Sequence, residues 1–197
     1  MKSVISIYKV TFDTARFRTL SLRPEEQSQH PDMLLNGRRL AATWVASKVY
    51  CPDPEKPAGD FYYLAPQTIV LRPRAYKLLN TTNYYYAEEL PLDFPEERLV
   101  ALNIMPNINC FDRSAAEFET DPSTGKITAI TKYAFHPRRV IYMETTLFKI
   151  PEMDGVETFC HEGVRDRELG FRYRVEKSKL QGLQFEKVFE FPSSLLR

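Results

Sequence analysis

Glu117-Phe118-Glu119-Thr120-Asp121-Pro122-Ser123-Thr124-Gly125-Lys126-Ile127-Thr128-Ala129-Ile130-Thr131-Lys132-Tyr133 is the stretch that decides the fold class. Two runs rich in β-branched and aromatic residues flank a five-residue turn segment, and Gly125 can supply the positive φ that such a turn often needs. This reads as a hairpin, so the chain builds antiparallel sheet. Upstream, Val100-Ala101-Leu102-Asn103-Ile104-Met105 is a further strand. Phe61-Tyr62-Tyr63-Leu64 and Ile69-Val70-Leu71 are two short ones.

The N-terminus alternates over Ser3 to Phe12, with Val4, Ser6, Tyr8 and Val10 on one face and Ile5, Ile7 and Lys9 on the other. Beyond Pro137, strands are expected over Arg139 to Met143, Thr146 to Ile150 and Glu157 to His161, with Pro151 stopping the second. Gln184 to Phe191 alternates Phe185, Lys187, Phe189 and Phe191 and reads as the last strand. Helices are fewer. Pro73 suits the first position of a short helix over Arg72 to Leu79, and Pro24 could open a turn of helix in the loop Arg23 to Pro31. Leu40 to Tyr50 mixes both periods, as does Val164 to Lys179. Cys51-Pro52-Asp53-Pro54-Glu55-Lys56-Pro57-Ala58-Gly59 carries three prolines and a glycine and is a surface loop inside one domain. The expectation is α+β: a single mixed domain over residues 1–197 with mostly antiparallel short strands packed on two or three helices.

Composition narrows the function. A chain of 197 residues can bury roughly 70% of its unfolded surface, so a real core is available. With 27 basic against 26 acidic residues, no net charge draws it to nucleic acid or an anionic membrane. No apolar run approaches membrane-spanning length and no signal segment opens the chain, which makes the cytoplasm the default address. Cys51, Cys110 and Cys160 are odd in number and hold no metal-ligand spacing, so free thiols are expected. The seven glycines are isolated, which argues against a phosphate-binding loop and a nucleotide cofactor.

Two constellations invite a catalytic reading. Cys160-His161-Glu162 joins a thiol, an imidazole and a carboxylate, yet neighbours on a strand point to opposite faces and cannot form a dyad. Asp112 and Ser114 with His136 suggest a Ser-His-Asp triad, but no nucleophile elbow surrounds Ser114, and an Asx turn accounts for the Asp-x-Ser pair. Neither defines an enzyme.

Charge bias marks two surfaces. Arg165, Arg167, Arg172, Arg174, Lys177 and Lys179 alternate with acids at spacings that pair on a helix. Glu88, Glu89, Asp93, Glu96 and Glu97 fall in ten residues without a base, directly after Tyr84-Tyr85-Tyr86. A solvated acidic loop is the ordinary reading of such a run. Aromatic anchors beside carboxylates also suit docking on a basic partner, and the candidate partner-binding set is therefore Tyr84, Tyr85, Tyr86, Glu88, Glu89, Asp93, Glu96 and Glu97.

An ordered series of segments adds a family. Val100 to Met105, Cys110-Phe111-Asp112-Arg113-Ser114, Asp121-Pro122-Ser123-Thr124-Gly125-Lys126-Ile127, Leu147-Phe148-Lys149-Ile150-Pro151-Glu152 and Leu180-Gln181-Gly182-Leu183-Gln184-Phe185 together resemble the bacterial polymorphic-toxin immunity proteins of family eleven. The resemblance spans residues 60–191, and Phe189 stands where that family commonly has tryptophan. It implies a helix before Leu180-x-Gly-Leu, with Gly182 as its cap, and core roles for Leu147, Phe148 and Ile150. It also implies a cytoplasmic protein without cofactor. Such a protein binds a cognate toxin, delivered by a contact-dependent or type VI system, and occludes or distorts its active site. The competing classes are an enzyme that reverses a toxin-made modification and an adaptor or chaperone that loads an effector.

Overall fold

A computed structural model describes residues 4–29, 35, 37–79, 85–162 and 166–192. The architecture is α+β, with every strand pairing antiparallel except one. Among the described residues, twelve strands form three sheets. The first sheet has the order β10-β11-β1-β12, built from β1 (Val4–Phe12), β10 (Leu147–Lys149), β11 (Thr158–Glu162) and β12 (Leu183–Pro192). The second has the order β3-β2-β4-β5-β7-β6, built from β2 (Thr19–Leu22), β3 (Val49–Tyr50), β4 (Phe61–Leu64), β5 (Thr68–Leu71), β6 (Ala87–Leu92) and β7 (Leu99–Ile104). The hairpin β8 (Glu117–Thr120) and β9 (Ile127–Lys132) stands as the third.

The second sheet closes on itself. Just past β6, the Asp93 N–H donates to the Ser47 carbonyl at 2.9 Å, and the Asp93 carbonyl accepts from Val49 N–H, at the head of β3, at 3.0 Å. Inside this ring lie Leu20, Val49, Tyr62, Leu64, Val70, Leu90, Leu92, Leu99 and Ala101. On its outer face Phe61, Ile69, Leu71, Val100, Leu102 and Ile104 meet the first sheet. Strands β5 and β7 are thus buried on both faces, which is why they read as unbroken apolar runs rather than alternating ones.

Two of the described helices fill the space between the sheets. Three of the four open on proline: α1 (Pro24–Gln29), α2 (Pro73–Leu79) and α3 (Pro137–Ile141). The fixed φ of proline suits a first helical residue, and its missing N–H is one that the helix leaves unpaired anyway. The fourth is α4 (Phe171–Lys177). Ala75 and Leu79 of α2 and Phe171 and Val175 of α4 join the core between the sheets. Behind the first sheet, Ile5, Ile7, Phe148, Phe159 and Phe191 pack under the hairpin and α3, through Phe111, Phe135, Val140 and Met143.

Several expectations are corrected. Arg139 to Met143 is not a strand; Pro137 starts α3, and burial of Val140 on the far side of the first sheet fixes it there. The first part of the acidic stretch is not a loop but strand β6, whose Leu90 and Leu92 are core residues, while Asp93, Glu96 and Glu97 follow it in the turn toward β7. Among the described residues there are four short helices. The helix expected before Leu180 is present: residues 166–179 hold a short 3₁₀ turn at Arg167–Leu169 and then α4, and packing against α2 and Tyr85 overrides the strand period of Phe171 to Val175. Residues 163–165 lie outside the described ones.

The last strand alternates less simply than its sequence. Its pairing with β1 shifts register between Ile7 and Tyr8, with Val188 as the extra residue. The bulge turns Phe185 toward the core between the sheets, and sends Phe189 and Phe191 to the opposite core.

Gly182 does not cap the helix. Lys179 does, at φ 52°: its N–H donates to the Glu176 carbonyl and Leu180 N–H to the Val175 carbonyl, both at 3.0 Å, which is a Schellman motif. Gly182 is required for a different reason. At φ 113° any added Cβ would sit 2.5 Å from the Phe61 carbonyl oxygen, because the Gln181 carbonyl accepts from both Asp60 and Phe61 N–H and draws the segment onto β4. Asp60, itself buried, holds the same segment through Gln181 N–H and Arg74.

Candidate functional site

Strand β6 lies at one end of the second sheet's hydrogen-bonded order, and the candidate residues divide along it according to the pleat. Glu88 faces the ring interior opposite Asn103. Its Oε2 accepts from Asn103 Nδ2 at 2.9 Å and from Leu40 N–H at 2.8 Å. Asn103, fully buried, also donates to the Arg38 carbonyl and accepts from Gly37 N–H. Glu88 is therefore a clasp that pins residues 37–40 across the sheet, and its charge is spent internally.

Glu97 is likewise occupied. Its Oε1 accepts from Arg72 Nε at 2.6 Å and from the Tyr62 hydroxyl at 3.4 Å. Burial, the largest influence, would lower the Arg72 guanidinium, but the hydrogen bond to Glu97 and the charges of Tyr62, Glu97 and Asp60 together outweigh it, and the group is held above its ordinary value. Glu96 is 62% exposed and only 3.9 Å from Arg18, a weak surface pair. Asp93 is exposed while its backbone closes the ring. Glu89 is half-buried on the other side of the pleat from Glu88.

The tyrosines separate in the same way. Tyr85 is wholly buried, edge-on to Phe171 at 5.2 Å, so its ring is core and is not offered to a partner. Tyr84 lies outside the described residues. Tyr86 is 51% exposed and adopts φ 51°, a conformation rare for a bulky side chain. Its carbonyl accepts from Met105 N–H, which ties the strained residue to β7. The Tyr86 hydroxyl stands 3.5 Å from Glu144 Oε2, and Tyr142, two residues before Glu144, is 82% exposed.

Tyr142 and Glu144 were invisible as site residues in the sequence. A strand over Arg139 to Met143 would have buried alternate side chains, whereas α3 ends at Ile141 and leaves Tyr142 outside. Exposed on this side are Tyr86, Glu144 and, two residues before it, Tyr142, with half-buried Glu89 on the strand that follows Tyr86; Asp93 and Glu96 are exposed past the other end of β6.

The catalytic constellations resolve differently. Asp112 Oδ1 accepts from both the N–H and the hydroxyl of Ser114, at 3.0 and 2.6 Å, and His136 Nδ1 is 3.5 Å from Asp112 Oδ2. The Ser114 hydroxyl bond, aided by His136, holds the Asp112 carboxyl below its ordinary value. Here the Ser114 hydroxyl donates to the Asp112 carboxylate, as an Asp-x-Ser turn requires. Asp121 and Ser123 repeat the same turn geometry in the hairpin with no histidine present, at 2.7 and 2.6 Å. Cys160 and His161 do face opposite ways: Cys160 joins the core between the sheets, and His161 lies against Phe148, its Nε2 2.9 Å from the Thr145 carbonyl. Burial pushes the Cys160 thiol up and lifts Cys110 to about 12, which leaves both unreactive. Glu162 pairs with Arg172 at 3.1 Å.

Among the described residues no cluster of three His, Cys, Asp or Glu side chains is arranged to hold a metal ion. None of the described helices is long and apolar enough to cross a membrane. Lys149 is buried with no ion pair among the described residues. Lys149, 4% exposed on β10, donates to the Leu35 carbonyl at 2.6 Å and reaches the Val156 carbonyl at 3.4 Å. Burial pulls its ammonium down to about 8.

No family model matches this chain, and no curated protein matches it.

Proposed function

We propose that this chain is a binding protein that neutralises a bacterial toxin, docking on a basic effector through the Tyr86, Glu89, Tyr142 and Glu144 surface and occluding or distorting its active site. The observation that carries this reading is Tyr86, half-exposed yet held at φ 51° at the head of β6. A left-handed conformation costs an L-residue about 1–2 kcal/mol, and such strain collects where a side chain is aimed for a purpose. A tyrosine fixed by sheet hydrogen bonds loses little freedom on docking and supplies much apolar area. Carboxylates around it raise the encounter rate with a cationic partner. An interface of this kind covers about 800 Å² per partner, which a face extending from Tyr142 to Glu96 would have to provide. The resemblance to family eleven supports the same class.

The test is co-purification with the product of the gene beside this one, followed by titration of that product's toxic activity. Stoichiometric binding with loss of activity is expected. A Tyr86→Ala, Glu89→Lys double variant should bind at least tenfold more weakly while its urea midpoint stays near that of the parent. Binding without inhibition would replace this reading with an effector adaptor, and protection without binding would replace it with an enzyme.

A further inference from the structure

The stretch that carries Leu35 and Gly37 to Leu40 has no regular structure, yet side chains from three strands hold its backbone. Lys149 of β10 donates to the Leu35 carbonyl at 2.6 Å. Asn103 of β7 accepts from Gly37 N–H at 3.2 Å and donates to the Arg38 carbonyl at 2.6 Å, and Glu88 of β6 accepts from Leu40 N–H at 2.8 Å. These contacts stand in for the ladder that a strand would have. Leu35 and Leu40 pack on the core inside the ring, and a Cβ on Gly37 would stand 2.9 Å from the Met105 carbonyl oxygen just past β7. The stretch is thus a strap across one end of the ring.

The three anchors differ in charge balance. Asn103 is neutral, and the Glu88 carboxylate meets two N–H donors. The Lys149 ammonium meets only carbonyls, those of Leu35 and, at 3.4 Å, Val156. Thr158 stands opposite it on β11, and past β10 the backbone of Pro106 and Ile108 pairs with its own backbone. Charged groups on the neighbouring elements are engaged elsewhere: Glu157 with Lys9 and Tyr133, Glu162 with Arg172, and Asp154 with Lys126. Glu152 acts on Cys110, His161 is turned to Phe148, and Arg38 and Arg39 on the strap itself are exposed. No neighbouring charge offsets the burial of Lys149. A buried ammonium without an opposite charge is costly, and the strap is the part of its enclosure that side chains hold.

We propose that the strap is a pH-sensitive latch: lifting it from the ring lets water reach the Lys149 ammonium, so acidification favours the open form and alkaline pH the closed one. With the strap closed the ammonium titrates at about 8, and with water around it at the ordinary 10.5. The open form therefore binds the extra proton; opening becomes easier as pH falls from 10.5 to 8 and levels off below 8. Between pH 9 and pH 7 the opening constant should rise about tenfold. The latch is independent of the toxin-binding reading.

Native-state proteolysis of the full chain tests it, because trypsin cuts after Arg38 and Arg39 only when the strap leaves the ring. The rate of these cuts, identified by fragment mass and divided by the rate on a synthetic peptide of residues 37–42 at the same pH, should rise about tenfold from pH 9 to pH 7. Its urea dependence should be shallower than that of global unfolding. In Lys149→Met the ratio should vary less than twofold over the same range. Glu88→Ala, which removes a different anchor, should raise the ratio at each pH and keep the tenfold rise. A ratio that does not change with pH in the parent, an equal rise in Lys149→Met, no gain in Glu88→Ala, or cleavage with the urea dependence of global unfolding would overturn the latch.

Discussion

Raising the pH should stabilise this protein through Lys149. In the unfolded chain that ammonium titrates at the ordinary lysine value of 10.5, whereas burial brings it to about 8 in the folded protein. Between those values the unfolded chain binds the extra proton, so stability rises with pH across the window from 8 to 10.5 and the penalty is fully present below 8. The gap is worth about 3 kcal/mol in total, of which about 2 kcal/mol is recovered between pH 7 and pH 9.5. Lys149→Met removes the titrating group and keeps the length of the side chain. It also leaves the Leu35 carbonyl without its donor, at about 1–3 kcal/mol, a cost that does not depend on pH. The assay is urea unfolding of both proteins at pH 7, 8, 9 and 9.5. Tyrosines, cysteines and the other lysines are common to both, so the difference between the two stability curves isolates Lys149. That difference should widen in favour of the parent by about 2 kcal/mol over this range. Curves that stay parallel to within about 0.5 kcal/mol would refute the reasoning, because a lysine titrating normally contributes no such slope.

Two glycine-related changes should move stability in opposite directions. Gly182→Ala combines a forbidden backbone with a 2.5 Å approach to the Phe61 carbonyl and should cost about 3 kcal/mol in urea unfolding. Lys179→Gly relieves the φ 52° cap of α4 and should add about 0.5–1 kcal/mol. Among the acids of β6 and its flank, Glu88→Ala should cost about 2 kcal/mol by leaving buried Asn103 and the Leu40 N–H without their acceptor. Glu96→Lys should change the same stability by less than about 0.5 kcal/mol, since its ion pair with Arg18 is 3.9 Å long and at the surface. Equal effects at Glu88 and Glu96 would show that the clasp is not formed.

Local signals set much of this architecture. The hairpin around Asp121 to Gly125, the alternation of β1, the apolar runs of β5 and β7 and the prolines that open α1 and α2 each state a backbone preference within a few residues, and the folded chain keeps them. The turn roles of Asp112 and Ser114 and the opposed faces of Cys160 and His161 were legible for the same reason: they depend on neighbours one or two residues away. Long-range pairing decided the rest. Five acids that look alike in sequence separate into a clasp, a paired carboxylate, half-buried Glu89 and two exposed charges only because β6 lies against β7 and the closed ring brings Asn103, Leu40 and Arg72 to particular members. Tyr85 and Tyr86 part company at a single residue of positive φ, and Lys149 enters the core because carbonyls from residues 35 and 156 converge on it. Periodicity reports which way a side chain points along its own element. What stands opposite it, and hence whether a charge is spent, exposed or buried, depends on segments tens of residues away, and only the closed tertiary structure supplies them.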